Sequence, residues 1–228
     1  MTEGVFFRPI AHIRTDFKEK FGIPRQSGRV DAVGRIVFLP EYRNPDALRG
    51  IEGFSHLWLL FDFSLAHREG FTPTVRPPRL GGNRHVGVFA SRSPFRPNPI
   101  GLSSVRLLSC EETEDGPILT VSGVDLLDGT PIYDIKPYLP FSDSHPDASA
   151  GYASEGEGHR LSVVYAANVT PPSDPETAAL LSACLAEDPR PSYQEDAARV
   201  YHMRLGAYEA SFTVEGDVLT VVGIDTVE

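Results

Sequence analysis

The chain has 228 residues, 41% of them hydrophobic and 23% charged, with a formal net charge of −10. That length and composition suit one large domain, or a domain with an appendage, and exclude a disordered or fibrous chain. No apolar run approaches the roughly 20 residues that span a bilayer. The first ten residues lack the charged-then-apolar order of an export signal, and the two cysteines, Cys110 and Cys184, lack metal-ligand spacing. A reducing, cytoplasmic compartment is therefore expected, with no structural disulfide and no metal.

In the N-terminal part, strand-like runs dominate: Val33–Leu39, Phe54–Phe63, His85–Ser91, Leu102–Leu108, Ile118–Val124 and Ile132–Ile135. Each is short, rich in Val, Ile, Leu and Phe, and bounded by Gly, Pro or Asn. Asn44–Glu52 predicts a short helix, with Asn44 as N-cap and Pro45 at the first helical position. Residues 142–158, rich in Ser, Asp, Ala, Gly and His, read as a linker or extended arm. Beyond it the pattern changes. Leu161–Val169 reads as a strand, and Pro175–Glu187 as an amphipathic helix capped by Asp174 and closed by Asp188-Pro189. Val200–Leu205, Ala210–Val214 and Val218–Ile224 are strand-like, with a hairpin turn at Glu215-Gly216-Asp217. The predicted fold is mainly β: a small β-barrel over residues 1–142, a linker over 143–160 and a smaller α+β domain over 161–228.

The charge is unevenly distributed. Residues 1–140 hold 17 basic and 16 acidic residues, whereas residues 141–228 hold 4 and 15. From Arg68 to Arg106 there are seven arginines and one acid, Glu69. Such a local basic stretch can bind phosphate whatever the global charge, and arginine adds a bidentate fork and a plane that stacks on bases. Several common chemistries are excluded by motif. There is no Gly-x-Gly-x-x-Gly fingerprint, no phosphate-binding Walker loop, no Gly-x-Ser-x-Gly elbow and no His-Glu-x-x-His.

Four polar loops stand out instead: Phe21–Gly28, Val75–Gly82, Ser91–Gly101 and Asp125–Pro140. Proline fixes φ and lowers the entropy of a free loop, so the Arg, Asn, Gln and Asp side chains on these loops are held ready, as binding and catalysis require. Together with Phe54-Ser-His-Leu-Trp-Leu-Leu-Phe61, these segments resemble the signature of the TsaA/TrmO family. The resemblance is dense from about Ile10 to Tyr152 and continues more weakly to Asp188-Pro-Arg-Pro-Ser-Tyr193. It implies a small β-barrel that binds S-adenosylmethionine without a dinucleotide-binding fold, usually as a homodimer. It also implies methylation of N6 of N6-threonylcarbamoyladenosine beside the anticodon of tRNA.

By that resemblance the cofactor falls to Pro24, Arg25, Gln26, Arg92, Leu102, Asp125 and Leu126. Arg25 and Arg92 would pair the methionine carboxylate, and Asp125 would accept from ribose hydroxyls or an amine. Leu102 and Leu126 read equally as apolar walls and as barrel core. The acceptor N6 is a urea-like nitrogen that must lose its proton as the methyl arrives, so a positioned base is needed. Asp134 is the first candidate, with Lys136 and Tyr138 on the same face of a strand at period two. The anticodon loop would meet Arg76, Arg79, Arg84, Arg96 and Asn98. His56 and Trp58 read as structural. Two other readings stay open: a methyltransferase of the same fold with another acceptor, and a non-catalytic RNA-binding barrel.

Overall fold

A computed structural model of the protein describes residues 5–77, 84–155, 158–190 and 196–227. Arg79 and the Pro191–Tyr193 end of the last motif lie outside the described residues.

Six strands close into a barrel: β1 (Ala11–Thr15), β2 (Val33–Phe38), β3 (His56–Asp62), β6 (Ile100–Thr113), β7 (Gly116–Ser122) and β8 (Pro131–Pro137), in the order β1-β2-β7-β6-β3-β8. All neighbouring pairs are antiparallel, and Ala11 opposite Ile132 completes the ring. The period of two decides which side chains enter. Ala11 and Ile13, Ile36 and Phe38, Leu57, Leu59 and Phe61, Val105, Leu119, Val121 and Ile132 all point inward and are buried. Each large apolar side chain withdrawn from water in this way contributes about 1.5–3 kcal/mol. A six-stranded barrel is narrow, and Gly101 marks how tight it is: a Cβ there would lie 2.2 Å from the Phe61 ring. A two-stranded ribbon, β4 (Thr74–Val75) with β5 (Val86–Gly87), projects between β3 and β6.

The second unit is a four-stranded sheet of order β10-β11-β12-β9: β9 (Ser162–Tyr165), β10 (Tyr201–Leu205), β11 (Tyr208–Glu215) and β12 (Val218–Thr226), with β9 parallel to β12. Helix α2 (Pro175–Ala186) buries Leu181, Cys184 and Leu185. Its start follows the expected chemistry, because the Asp174 carboxylate accepts from the Thr177 N–H at 2.8 Å and Pro175 has no N–H to satisfy. A short helix, α1 (Pro140–Asp143), follows the barrel. Among the described residues no helix is long and apolar enough to cross a membrane.

Three sequence expectations are corrected. His85–Ser91 is not one strand. Only Val86–Gly87 pairs, with the two residues of β4, and Val88–Ala90 turns as a 3-10 helix. Asn44–Glu52 is split by Gly50, whose φ of 89° breaks it into two 3-10 turns, Pro45–Leu48 and Ile51–Gly53. Asn44 still caps the first, accepting from Asp46 N–H at 3.0 Å. The strand expected over Leu161–Val169 covers only Ser162–Tyr165. β1, in contrast, went unpredicted, because His12 and Arg14 interrupt its apolar content on the outer face.

Candidate functional site

One cluster forms where the 24–28 loop meets the start of β6. The Arg92 Nη1 donates to Gln26 Oε1, the Ser103 hydroxyl donates to Asp125 Oδ1 at 2.7 Å, and the Ser27 N–H also bonds the Asp125 carboxylate. Gly28 N–H donates to the Gly123 carbonyl at 2.9 Å, tying this loop to the end of β7. Burial pushes the Asp125 carboxyl above its usual range, and the Ser103 hydroxyl, the Ser27 N–H and the Arg92 charge oppose that only in part. An acceptor carboxylate thus lies in the field of a guanidinium that is itself bonded to a primary amide. This donor and acceptor set suits a small molecule that carries hydroxyls, an amine and a carboxylate.

Arg25 is placed differently from its neighbours. Its Nη2 donates to the carbonyls of Asp188 at 3.2 Å and Arg190 at 2.8 Å in the C-terminal unit. Leu126 is core at 2% exposure, and its carbonyl accepts from the Thr15 hydroxyl. Leu102 is 55% exposed on the outer face of β6, the opposite side from Ser103.

That outer face holds a second cluster. Leu60 of β3 lies opposite Leu102 on one side and Asp134 on the other, and Trp58 lies between Ser104 and Lys136 in the same way. With strands about 4.8 Å apart, Leu102 and Asp134 are roughly 10 Å apart across the sheet. Asp134 and Lys136 form an ion pair at 2.8 Å. Tyr138 packs on Trp58 with ring centroids 5.6 Å apart, and its N–H donates to the His56 carbonyl. Asp134 and Lys136 of β8 therefore share one face, and Tyr138, just beyond the strand, packs on the same side through Trp58. A register shift at Leu60/Phe61 leaves Tyr133 without a partner on β3, and Asp134 keeps its outward direction past this bulge. The two clusters meet at consecutive residues of β6, Leu102 and Ser103, one on each side of the strand.

A third group surrounds the β4–β5 ribbon. Phe71 and Phe89 stack with centroids 6.1 Å apart while staying 55% and 74% exposed. Arg76 Nε donates to His85 Nε2 at 3.0 Å, and Arg68 lies 3.7 Å over the Phe95 ring. Arg84 pairs with Glu155 through both carboxylate oxygens, but both side chains are 54% exposed, so the pair is weak and exchangeable. Arg96 Nη1 bonds the Ser91 carbonyl, and the exposed Asn98 offers its own carbonyl to Ile100 N–H. Sequence reasoning had passed over Ser27, Ser103, Phe71 and Phe89. Serine on a barrel strand carries no distinguishing pattern, and exposed phenylalanine stands out only once burial is known. It had also passed over the Asp62–His67 pair at 2.8 Å, which closes the end of β3.

The family model of the tRNA-methyltransferase O N-terminal domain matches residues 12–144, and that of the TrmO C-terminal domain matches residues 162–227. A protein of Escherichia coli K12 named tRNA (adenine(37)-N6)-methyltransferase is 45% identical over 217 residues, covering 91% of this chain and 92% of its own. A Pseudomonas aeruginosa protein named "Putative S-adenosylmethionine-dependent methyltransferase RcsF" is 44% identical over 217 residues, covering 90% of each. A crystal structure of TrmO from P. aeruginosa superposes with a TM-score of 0.80 at 34% identity, covering 99% of each chain.

Proposed function

We infer that this chain, which belongs to the tRNA-methyltransferase O family, is an S-adenosylmethionine-dependent enzyme that methylates N6 of adenosine 37 beside the anticodon of tRNA. We assign its acceptor as N6-threonylcarbamoyladenosine. The observation that carries the chemistry is the outer-face row in which Asp134, held by Lys136, faces Leu102 of β6 across β3, next to Ser103, which bonds Asp125 of the cluster with Gln26 and Arg92.

The donor set fits the cofactor: Arg92 suits its carboxylate, Asp125 its ribose hydroxyls or amine, and Leu102 an apolar edge. When bound, the cofactor supplies a methyl group on a sulfonium, which departs as a neutral thioether. The protein's own task is to align the acceptor nitrogen behind that methyl and remove its proton. Asp134 takes the N6 proton as the new N–C bond forms. Lys136 fixes the carboxylate that does so, and the tilted Trp58–Tyr138 ring contact holds the end of β8 in place. Alignment alone supplies a large share of the acceleration in a displacement of this kind.

The acceptor base must leave the anticodon-loop stack to reach Asp134. The exposed Phe71–Phe89 pair gives neighbouring bases a face to stack on, with Arg76, Arg84 and Arg96 nearby for phosphate. Replacing Phe89 by Ala is expected to raise the KM for tRNA about tenfold, from base stacking worth ~1–3 kcal/mol, with cofactor affinity unchanged. Arg76→Ala is expected to reduce the salt slope of tRNA binding by about 1. Filter binding across a salt series separates the two effects, and an unchanged KM in both variants would remove this surface from the interface.

We also place the enzyme in the cytoplasm, where its substrate is, and assign it a homodimer. Phe6, before β1, is 92% exposed and Phe141 of α1 is 87% exposed, surface that a second copy would cover. Sedimentation at micromolar concentration is expected to give twice the 25.0 kDa chain mass. A single 25.0 kDa species would contradict it.

A further inference from the structure

Glu187, the C-cap residue just after α2, is 4% exposed. Its position is unfavourable twice over: a carboxylate opposes the negative end of the helix, and burial strips it of water. Both oxygens are nonetheless satisfied. Oε2 accepts from Arg29 Nε at 2.9 Å, and Oε1 accepts from Arg160 Nε at 2.7 Å. Arg160 Nη2 then donates to the Arg29 carbonyl at 2.8 Å, closing a ring of bonds between the C-terminal unit and residue 29. Although burial raises the Glu187 carboxyl, the hydrogen bonds from Arg29 and Arg160 outweigh it and hold the group below its usual range.

Residue 29 ends the loop that carries Gln26 and Ser27, and the other end is held in the same manner. Arg25 reaches into the C-terminal unit to the Asp188 and Arg190 carbonyls. Asp188 has a φ of 50°, and its carboxylate is fixed by Arg190 Nε at 2.8 Å, so the carbonyls that Arg25 meets sit on a stiff turn. Along these five residues the two end attachments bracket three of another kind. Arg25 and Arg29 are held by the C-terminal unit, while Gln26, Ser27 and Gly28 are bonded to Arg92, Asp125 and Gly123 of the barrel. Nearby, Gly206 N–H donates to the Asp16 carbonyl at 2.8 Å, and Met203 fills the space beside Gly22. The C-terminal unit therefore rests on the segment that leads into this loop.

We propose that Glu187 is a positioning residue: through Arg29 and Arg160 it latches the acidic C-terminal unit to the 25–29 loop, and this latch sets the affinity of the barrel for S-adenosylmethionine. The proposal rests on the assignment of Gln26 and Asp125 to the cofactor. It gives the C-terminal unit a part in cofactor binding without requiring it to touch either ligand. A coupling of this kind between two parts of a protein is typically worth 5–150-fold in affinity.

The test is calorimetric titration of S-adenosylmethionine into the full-length protein and its Glu187→Gln, Arg29→Gln, Arg160→Gln and Gln26→Ala variants. Glu187→Gln and Arg29→Gln are each expected to raise the Kd about tenfold, within the coupling range above. The double variant should be no weaker than the poorer single one, because both break one latch. Arg160→Gln, at a half-exposed side chain, should fold regardless and show a smaller loss. Under saturating cofactor the fall in kcat should be smaller than the loss of affinity. A merely structural defect would instead lower the active fraction and leave the Kd of the remaining sites alone. Folded Arg29→Gln and Arg160→Gln proteins with the parental Kd, beside a weakened Gln26→Ala protein, would overturn the latch alone. An unchanged Kd in all three would overturn the cofactor assignment of the loop as well.

Discussion

Asp134→Asn is expected to lower kcat by about 10²–10⁴-fold, the range for losing a positioned general base, while the Kd for cofactor and the KM for tRNA stay within about threefold of the parent. The substitution keeps the shape and one acceptor oxygen. It removes the negative charge that pairs with Lys136 at 2.8 Å and that would take the N6 proton. The pair is 63% and 45% exposed, so breaking it has little effect on stability. A lowered rate in this variant therefore reports chemistry. Single-turnover methylation at saturating cofactor and tRNA isolates that step. A fall of less than about tenfold would exclude Asp134 as the base, since positioned bases contribute at least ~10².

Asp125→Asn should act on binding and do so as a function of pH. A hydrogen bond to a charged group is worth ~1.5–3 kcal/mol, so the Kd for cofactor should rise about 10–150-fold at neutral pH. Burial raises the pKa of Asp125 above the ordinary aspartate value of 3.8. Protonation of the parent's acceptor therefore begins closer to neutrality than for an exposed aspartate. As pH falls through the raised value, the parent should lose affinity toward the level of the Asn variant. The variant, with nothing to titrate there, should stay flat. Calorimetry carried from neutral pH down into the ordinary aspartate range reads both curves. Parallel curves would mean that the ionised carboxylate is not what the cofactor meets.

Much of the barrel was legible in the sequence because burial on one face imposes a period of two. Leu57, Leu59 and Phe61 alternate with His56, Trp58 and Leu60, and the strand they define is the one observed. The same alternation in the sequence puts Asp134, Lys136 and Tyr138 on one face. β1 was illegible because a five-residue strand with three inward positions carries too little pattern, and its place is set by β2 and β8 on either side. The β4–β5 ribbon was over-read because Val86 and Val88 look like strand residues, yet the available partner is two residues long. The Glu187 latch was hidden for a different reason. Its two halves lie 158 residues apart, and neither Arg29 nor Glu187 belongs to a motif that announces the other. Likewise, the pairing of Arg25 with backbone carbonyls depends on the turn at Asp188, a conformation that side-chain identity alone does not reveal.

The central claim is tested most directly by incubating the protein with S-adenosylmethionine and tRNA carrying N6-threonylcarbamoyladenosine, digesting the tRNA and weighing its nucleosides. A gain of one methyl on that nucleoside alone, absent when unmodified tRNA is supplied, is the predicted result. No gain by a protein that binds its cofactor, or equal methylation of unmodified adenosine, would contradict it.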